Sequence, residues 1–249
     1  MAWAMIKPNW GLQGLVFCGS TTIDEENRPD LHDYGFPNTD VESSIQREAN
    51  RNKLLGESGA STLQWLKQVH GNKALQIMPG ALTEPPEADA CWTIEEDVVL
   101  AVLTADCLPI VLASNDGRWL GLVHAGWRGL ATGVITNLVN CYKFNKNNLS
   151  AWLGPSISAK RYEVGEEVWS IFEDDYPETL TVQKKDSAKR CLDLALLAKM
   201  QLQENDVRRL FSSGFCTYED PRFFSHRRSL AHSNLVRPGR FATVAMLKG

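Results

Sequence analysis

The chain has 249 residues, 43% of them hydrophobic and 22% charged, with a formal net charge of -4. That length can bury a substantial core and fits a single domain spanning residues 1–249 of an ordinary soluble globular protein. The mild charge, with both signs interspersed, gives no reason to expect nucleic acid or a membrane surface as a partner.

Met1–Trp10 carries one Lys and one Pro and has no apolar h-region, so it is not expected to be a signal peptide. The longest apolar stretch, Val98–Ala113, is interrupted by Asp106 and Pro109 and is too short to span a bilayer. A cytoplasmic protein is expected. In a reducing compartment its six scattered cysteines, which form no CxxC, should be free. Five read as small buried hydrophobes, and Cys107 is set apart by its neighbours.

In chain order, Gly11–Gly19 reads as a short strand and Glu25–Pro37 as a polar loop. Asn38–Leu55 reads as a helix capped by Thr39 or Asp40 and ended by Gly56. Ser61–His70 and Lys73–Met78 read as strands. Val98–Leu103 and Ile110–Ala113 are continuous apolar runs, expected to be strands buried on both faces. Asn115-Asp116-Gly117 signals a hairpin, after which Trp119–Val123 returns as a strand ending at His124. Leu130–Tyr142 has helical spacing, with Leu130, Val134, Leu138 and Cys141 on one face. Ala151–Leu153 is a short strand. Glu163–Phe172 and Leu192–Gln203 are helix candidates, the latter with Asp193 in its first turn. Phe211–Phe215 and Ala242–Leu247 read as closing strands. Strands and helices mix without strict alternation, which favours an α+β fold.

Three segments carry chemistry: Lys67-Gln68-Val69-His70-Gly71, Thr104-Ala105-Asp106-Cys107-Leu108-Pro109 and Val123-His124-Ala125-Gly126-Trp127-Arg128-Gly129. Each puts a metal-grade or nucleophile-grade side chain where an apolar strand gives way to a turn. One thiolate and two imidazoles suit a zinc site with an open fourth position or a Cys/His nucleophilic pair. The Cys107 turn and His124 fall on neighbouring strands, so they should meet. Gly126 and Gly129, the following helix N-terminus and Arg128 form a candidate anion site. Period-two alternation puts Gln68 on the same face as His70. His226, within Phe223-Phe224-Ser225-His226-Arg227-Arg228, and Arg51 on the first helix read equally well as scaffold. The tryptophans read mostly as core.

At these residues the chain closely resembles the YfiH family, whose members carry laccase-domain, polyphenol oxidase, peptidoglycan-editing and purine nucleoside phosphorylase labels. The matching stretches are Lys67–Gly71, Thr104–Pro109, His124–Leu130, Leu153–Pro155 with Tyr162–Gly165, and Ser213–Arg228; they run in family order. The resemblance implies a layered α/β/β/α sandwich with mixed sheets and zinc on His70, Cys107 and His124. It also implies phosphate-dependent cleavage of adenosine, inosine and methylthioadenosine, with adenosine deaminase as a side activity. On that reading Asp106 or a zinc-bound water would assist proton transfer, Gln68 would line the cavity, and Arg128, with Arg51 or Arg228, would hold phosphate. Two local departures stand out. His32-Asp33-Tyr34-Gly35 replaces a Ser-Leu-Asn-Leu-Gly-like segment, and His226 replaces the Tyr of FFSYRR.

Three other functions fit less well. A copper polyphenol oxidase needs paired histidines, and five histidines without His-x-His argue against it. A metal-free hydrolase, with Cys107 as nucleophile and His124 as base, would suit editing of peptidoglycan precursors. A non-enzymatic domain with a structural zinc would need a fourth protein ligand.

Overall fold

A computed structural model describes residues 5–23, 33–35, 41–80, 84–182, 188–231 and 239–249. Its strands, in chain order, are β1 (Met5–Ile6), β2 (Val16–Thr21), β3 (Thr62–Trp65), β4 (Ala74–Gln76), β5 (Ala90–Thr93), β6 (Val98–Thr104), β7 (Leu108–Ser114), β8 (Leu120–Ala125), β9 (Leu149–Leu153), β10 (Glu163–Val164), β11 (Leu180–Val182), β12 (Arg190–Leu192), β13 (Arg209–Ser212) and β14 (Phe241–Leu247). The helices are α1 (Val41–Ser58), α2 (Trp127–Ala131), α3 (Val134–Val139), α4 (Glu166–Trp169), α5 (Leu194–Glu204) and α6 (His226–Ala231).

Two mixed sheets form the body, in the strand orders β1-β2-β14-β6-β3 and β13-β9-β7-β8-β5-β4. A small sheet, β10-β12-β11, is hydrogen-bonded to neither among the described residues, and its Val164 and Leu192 pack into the same core as Ile110 and Leu153. Alternation along the long strands sorts side chains between layers. Leu100 and Val102 of β6 meet Val111 of β7, Leu122 of β8 and Trp152 of β9 between the two sheets. Val99, Ala101 and Leu103 of β6 face the other way and pack with Leu54 of α1. Ile110 and Leu112 of β7 pack with Leu130, Val134, Leu138 and Leu197, which lie on α2, α3 and α5. The order of layers is therefore helix, sheet, sheet, helix, the α+β sandwich expected.

β6, β7 and β8 are buried along their whole lengths. That explains why they lack polar alternation: each is covered on both faces. The β7–β8 hairpin closes at Gly117, whose positive φ of 71° its turn requires.

Several elements differ from the sequence-based expectation. The strand expected at Gly11–Gly19 is β2, beginning at Val16 after a turn. α1 runs past Gly56 and ends before Gly59, whose φ is +74°. Its proposed caps Thr39 and Asp40, and most of the Glu25–Pro37 loop, lie outside the described residues. The expected strand Ser61–His70 stops at Trp65, so His70 lies in a turn. Leu130–Tyr142 is split into α2 and α3 by Gly133 at φ +82°, a conformation that breaks helical continuity. Glu163–Phe172 shortens to α4, because Glu163 and Val164 pair with β12 instead. Asp193 lies one residue before α5 and caps it, accepting a hydrogen bond from the Leu196 N–H.

Candidate metal centre and its cavity

β7 and β8 pair with Pro109 opposite His124. Cys107, the residue before β7, is thereby set beside the end of β8. His70 comes from the loop after β3. Where the backbone ladder of β3 on β6 ends, the Gln68 side chain continues it. Its amide donates to the Leu103 carbonyl at 2.8 Å and its oxygen accepts from the Leu103 N–H at 2.8 Å. This docks the His70 loop against β6. One ligand atom each from His70, Cys107 and His124 lie within 4.8 Å of one another. The imidazoles of His70 and His124 meet edge to face at 4.9 Å. His124 is buried, Cys107 half-buried and His70 exposed, so the cluster is closed below and open above.

Backbone strain is concentrated here. His70 has φ +59° and Asp106 φ +99°, conformations that cost on the order of 1–3 kcal/mol each and persist only where the surroundings enforce them. For His70 the enforcing group is Asp89, immediately before β5. Asp89 accepts the backbone N–H groups of Val69, His70 and Gly71 at 3.2, 3.0 and 2.7 Å, and pairs with His124 Nδ1 at 2.8 Å. Burial works to raise its carboxyl, but the His124 hydrogen bond and these N–H donors outweigh burial and hold it below its usual range. An ionised carboxylate only accepts, so Nδ1 carries the proton and Nε2 is left for the cluster. For Asp106 the enforcing groups are the Thr217 hydroxyl, donating to Oδ1 at 2.7 Å, and the Arg227 N–H, donating to Oδ2 at 2.7 Å.

Gly126 stands close to the ligands. A Cβ there would lie 3.1 Å from Cys107 Sγ and 3.2 Å from His70 Cδ2, so only glycine leaves the cluster undisturbed. Burial works to raise the Cys107 thiol, but the charge and hydrogen bond of His124, followed by those of His70, pull it well below the ordinary thiol range. His124 shifts the other way: the Cys107 thiolate and the Asp89 hydrogen bond outweigh its burial and raise it.

A cavity of about 490 Å³ opens over the cluster. Its lining includes Gln68, His70, Cys107 and His124 together with Thr104, Ala105, Asp33 and the cationic or titratable Arg47, Lys67, Arg240 and His226. Of the other sequence-predicted site residues, Asp106 is buried and occupied by Thr217 and Arg227 as described. Arg51 donates from Nε and one terminal nitrogen to the Tyr34 carbonyl and stacks on Trp65. Arg228 is turned to the backbone carbonyls of Thr217, Tyr218, Asp220 and Phe223. Arg128 is exposed and stacks on Trp127. Neither Arg51, Arg128 nor Arg228 lines the cavity. His32 and His232 lie outside the described residues.

Sequence reasoning missed Asp89, Arg47 and Arg240. Asp89 sits in Glu87-Ala88-Asp89-Ala90, which matches no motif. Its signal would have been a carboxylate at the start of a strand pairing with the His124 strand, and that pairing is not visible in the sequence.

The fold and the thiolate–bis-imidazole cluster define a class of layered α+β proteins with a candidate open metal centre. A sequence family described as multi-copper polyphenol oxidoreductase laccase matches residues 29–248. A Xylella fastidiosa protein named purine nucleoside phosphorylase is 39% identical over 209 residues, covering 80% of this chain and 78% of that one. Purine nucleoside phosphorylase YfiH of Escherichia coli is 34% identical over 234 residues, covering 90% and 93%. Among solved structures, Neisseria meningitidis protein NMB0706 superposes with a TM-score of 0.83 at 28% identity, covering 98% of this chain and 99% of that one. The Bacillus licheniformis hypothetical protein YfiH superposes with a TM-score of 0.86 at 23% identity, covering 99% and 97%. The chain belongs to the YfiH family of laccase-like proteins.

Proposed function

We propose that this chain is a zinc-dependent purine nucleoside phosphorylase. The observation that carries the reading is the convergence of His70, Cys107 and His124 within 4.8 Å in a cavity that Arg47, Lys67, Arg240 and Asp33 also line. The relatives named purine nucleoside phosphorylase support it. A thiolate and two imidazoles fit zinc, and three protein ligands are the number found in catalytic rather than structural zinc sites. Zinc bound there would supply a Lewis acid beside the substrate.

In the reaction a phosphate oxygen bonds to C1′ of the ribose as the bond from C1′ to the purine nitrogen breaks. The base leaves with the electron pair and takes up a proton. Adenosine, inosine and methylthioadenosine are the proposed substrates. Arg47, Arg240 and Lys67 line the cavity wall and are the proposed phosphate contacts, Arg47 also pairing with Asp33 at 2.6 Å, and arginine's fork suits phosphate geometry. We assign phosphate to this wall rather than to Arg51, Arg128 or Arg228, none of which lines the cavity. Gln68 and Asp106 are positioning residues: the first docks the His70 loop and the second anchors the Cys107 turn. Adenosine deamination in the same cavity is a proposed side activity. No described helix is long and apolar enough to cross a membrane, and we propose a cytoplasmic location.

One observation favours a second reading. The depressed Cys107 thiol beside a raised His124 is the pair a metal-free cysteine hydrolase needs, for example one editing peptidoglycan precursors. Metal analysis of the purified protein separates the two. Stoichiometric zinc, removable with loss of nucleoside cleavage, supports the phosphorylase. Metal-free protein in which an electrophilic acyl probe labels Cys107 covalently supports the hydrolase, and stoichiometric copper would revive the polyphenol oxidase reading.

A further inference from the structure

We infer that Asp89 is a positioning residue that holds two of the three metal ligands at once and so pre-organises the centre before metal arrives. The inference rests on reading His70, Cys107 and His124 as metal ligands. Asp89 has no exposed surface and its carboxylate receives four donors. Oδ1 takes the His70 N–H and the His124 Nδ1–H, and Oδ2 takes the N–H groups of Val69 and Gly71. The first oxygen thus fixes the His124 ring orientation and the second closes the His70 turn, which φ +59° would otherwise disfavour. The backbone adds a further tie, because the His124 N–H donates to the Asp89 carbonyl at 2.7 Å.

The arrangement explains why a carboxylate is needed. Four donors converge on a group that only accepts. An asparagine there would present one oxygen and one NH₂, so whichever way it turned, two donors would face donors. Asp89→Asn preserves volume and fails on chemistry.

The test begins with zinc affinity of the wild-type protein, measured by competition with a chromophoric chelator. Absence of zinc binding would overturn the metal reading itself. Given binding, Asp89→Asn should remain folded by circular dichroism, bind zinc about 10- to 100-fold more weakly, and show altered d–d bands when loaded with cobalt(II). Asp193→Ala, which removes the α5 cap and whose side chain bonds Leu196 rather than any cluster residue, should lower thermal stability and leave both metal readouts unchanged. That contrast separates positioning from general destabilisation. Wild-type affinity with an unchanged cobalt spectrum in Asp89→Asn would overturn the inference. A second measurement needs no variant. In chelator-treated wild-type protein, the amides of Val69, His70 and Gly71 should stay protected from hydrogen exchange. Free exchange of these amides would show that Asp89 does not pre-organise the loop, and would overturn the inference even if Asp89→Asn fails to fold.

Discussion

Cys107 is half-buried, which alone would keep its thiol protonated, yet its neighbours reverse that. Its folded-state value of about 6 lies below the ordinary 9.0, so the thiolate is present above about pH 6 and is lost as pH falls through that value. Protons then compete with metal for the same sulfur. The apparent zinc affinity should weaken as pH falls through about 6; an affinity unchanged between about pH 7 and pH 4 in a competition titration would contradict the reading. In metal-free protein at neutral pH, iodoacetamide should modify Cys107 in preference to Cys18 and Cys91, whose thiols burial pushes up. Peptide mapping would show the order of modification. At this scale the sequence was legible where a residue sits in a motif: His70, Cys107 and His124 were each marked by a turn after an apolar run. Asp89 was illegible because its role comes from a strand pairing 35 residues away. The arginines could not be placed from sequence, because charge alone does not say whether a guanidinium lines a cavity, as Arg47 does, or faces a row of carbonyls, as Arg228 does.

The elements that hold the cluster depend on two glycines with different duties. Gly133 separates α2 from α3 at φ +82°, so Gly133→Ala should cost about 1–2 kcal/mol, read as a lower urea midpoint with activity retained. Gly126 needs space rather than conformational freedom. Gly126→Ala would press on Cys107 and His70 and should weaken zinc binding by roughly tenfold while leaving the unfolding midpoint nearly unchanged. Competition titration beside urea unfolding would report both. Helical periodicity revealed the apolar face shared by Leu130, Val134, Leu138 and Cys141, of which the first three are buried and Cys141 is half-buried. It could not reveal the break, because a glycine within a periodic run reads as helix until its φ is known. The strand after Ser61 was overextended for a related reason: apolar residues continue through Leu66, but the ladder ends at Trp65 and a side chain, Gln68, takes over the pairing.

The whole molecule is a support for one end of two facing sheets. The layer between them is filled by Leu100, Val102, Val111, Leu122 and Trp152, all at 2% exposure or less. Leu122→Ala should cost about 2–5 kcal/mol through lost burial and the cavity left behind. Chemical denaturation would measure it, and a cost below about 1 kcal/mol would mean that the sheets repack freely. The continuous apolar runs foretold strands covered on both faces, and the mixture of elements foretold α+β. The strand order was not foretold. β14, the last element, lies in the middle of its sheet between β2 and β6, a non-local pairing that local patterning cannot encode. The central claim is that this frame presents a zinc site to a purine nucleoside and phosphate. The most direct measurement is release of free base from adenosine by zinc-loaded protein, with and without phosphate. The account predicts adenine and ribose 1-phosphate only when phosphate is present, and a loss of more than about 100-fold in Cys107→Ala. Base release at the same rate without phosphate, or none under either condition, would contradict it.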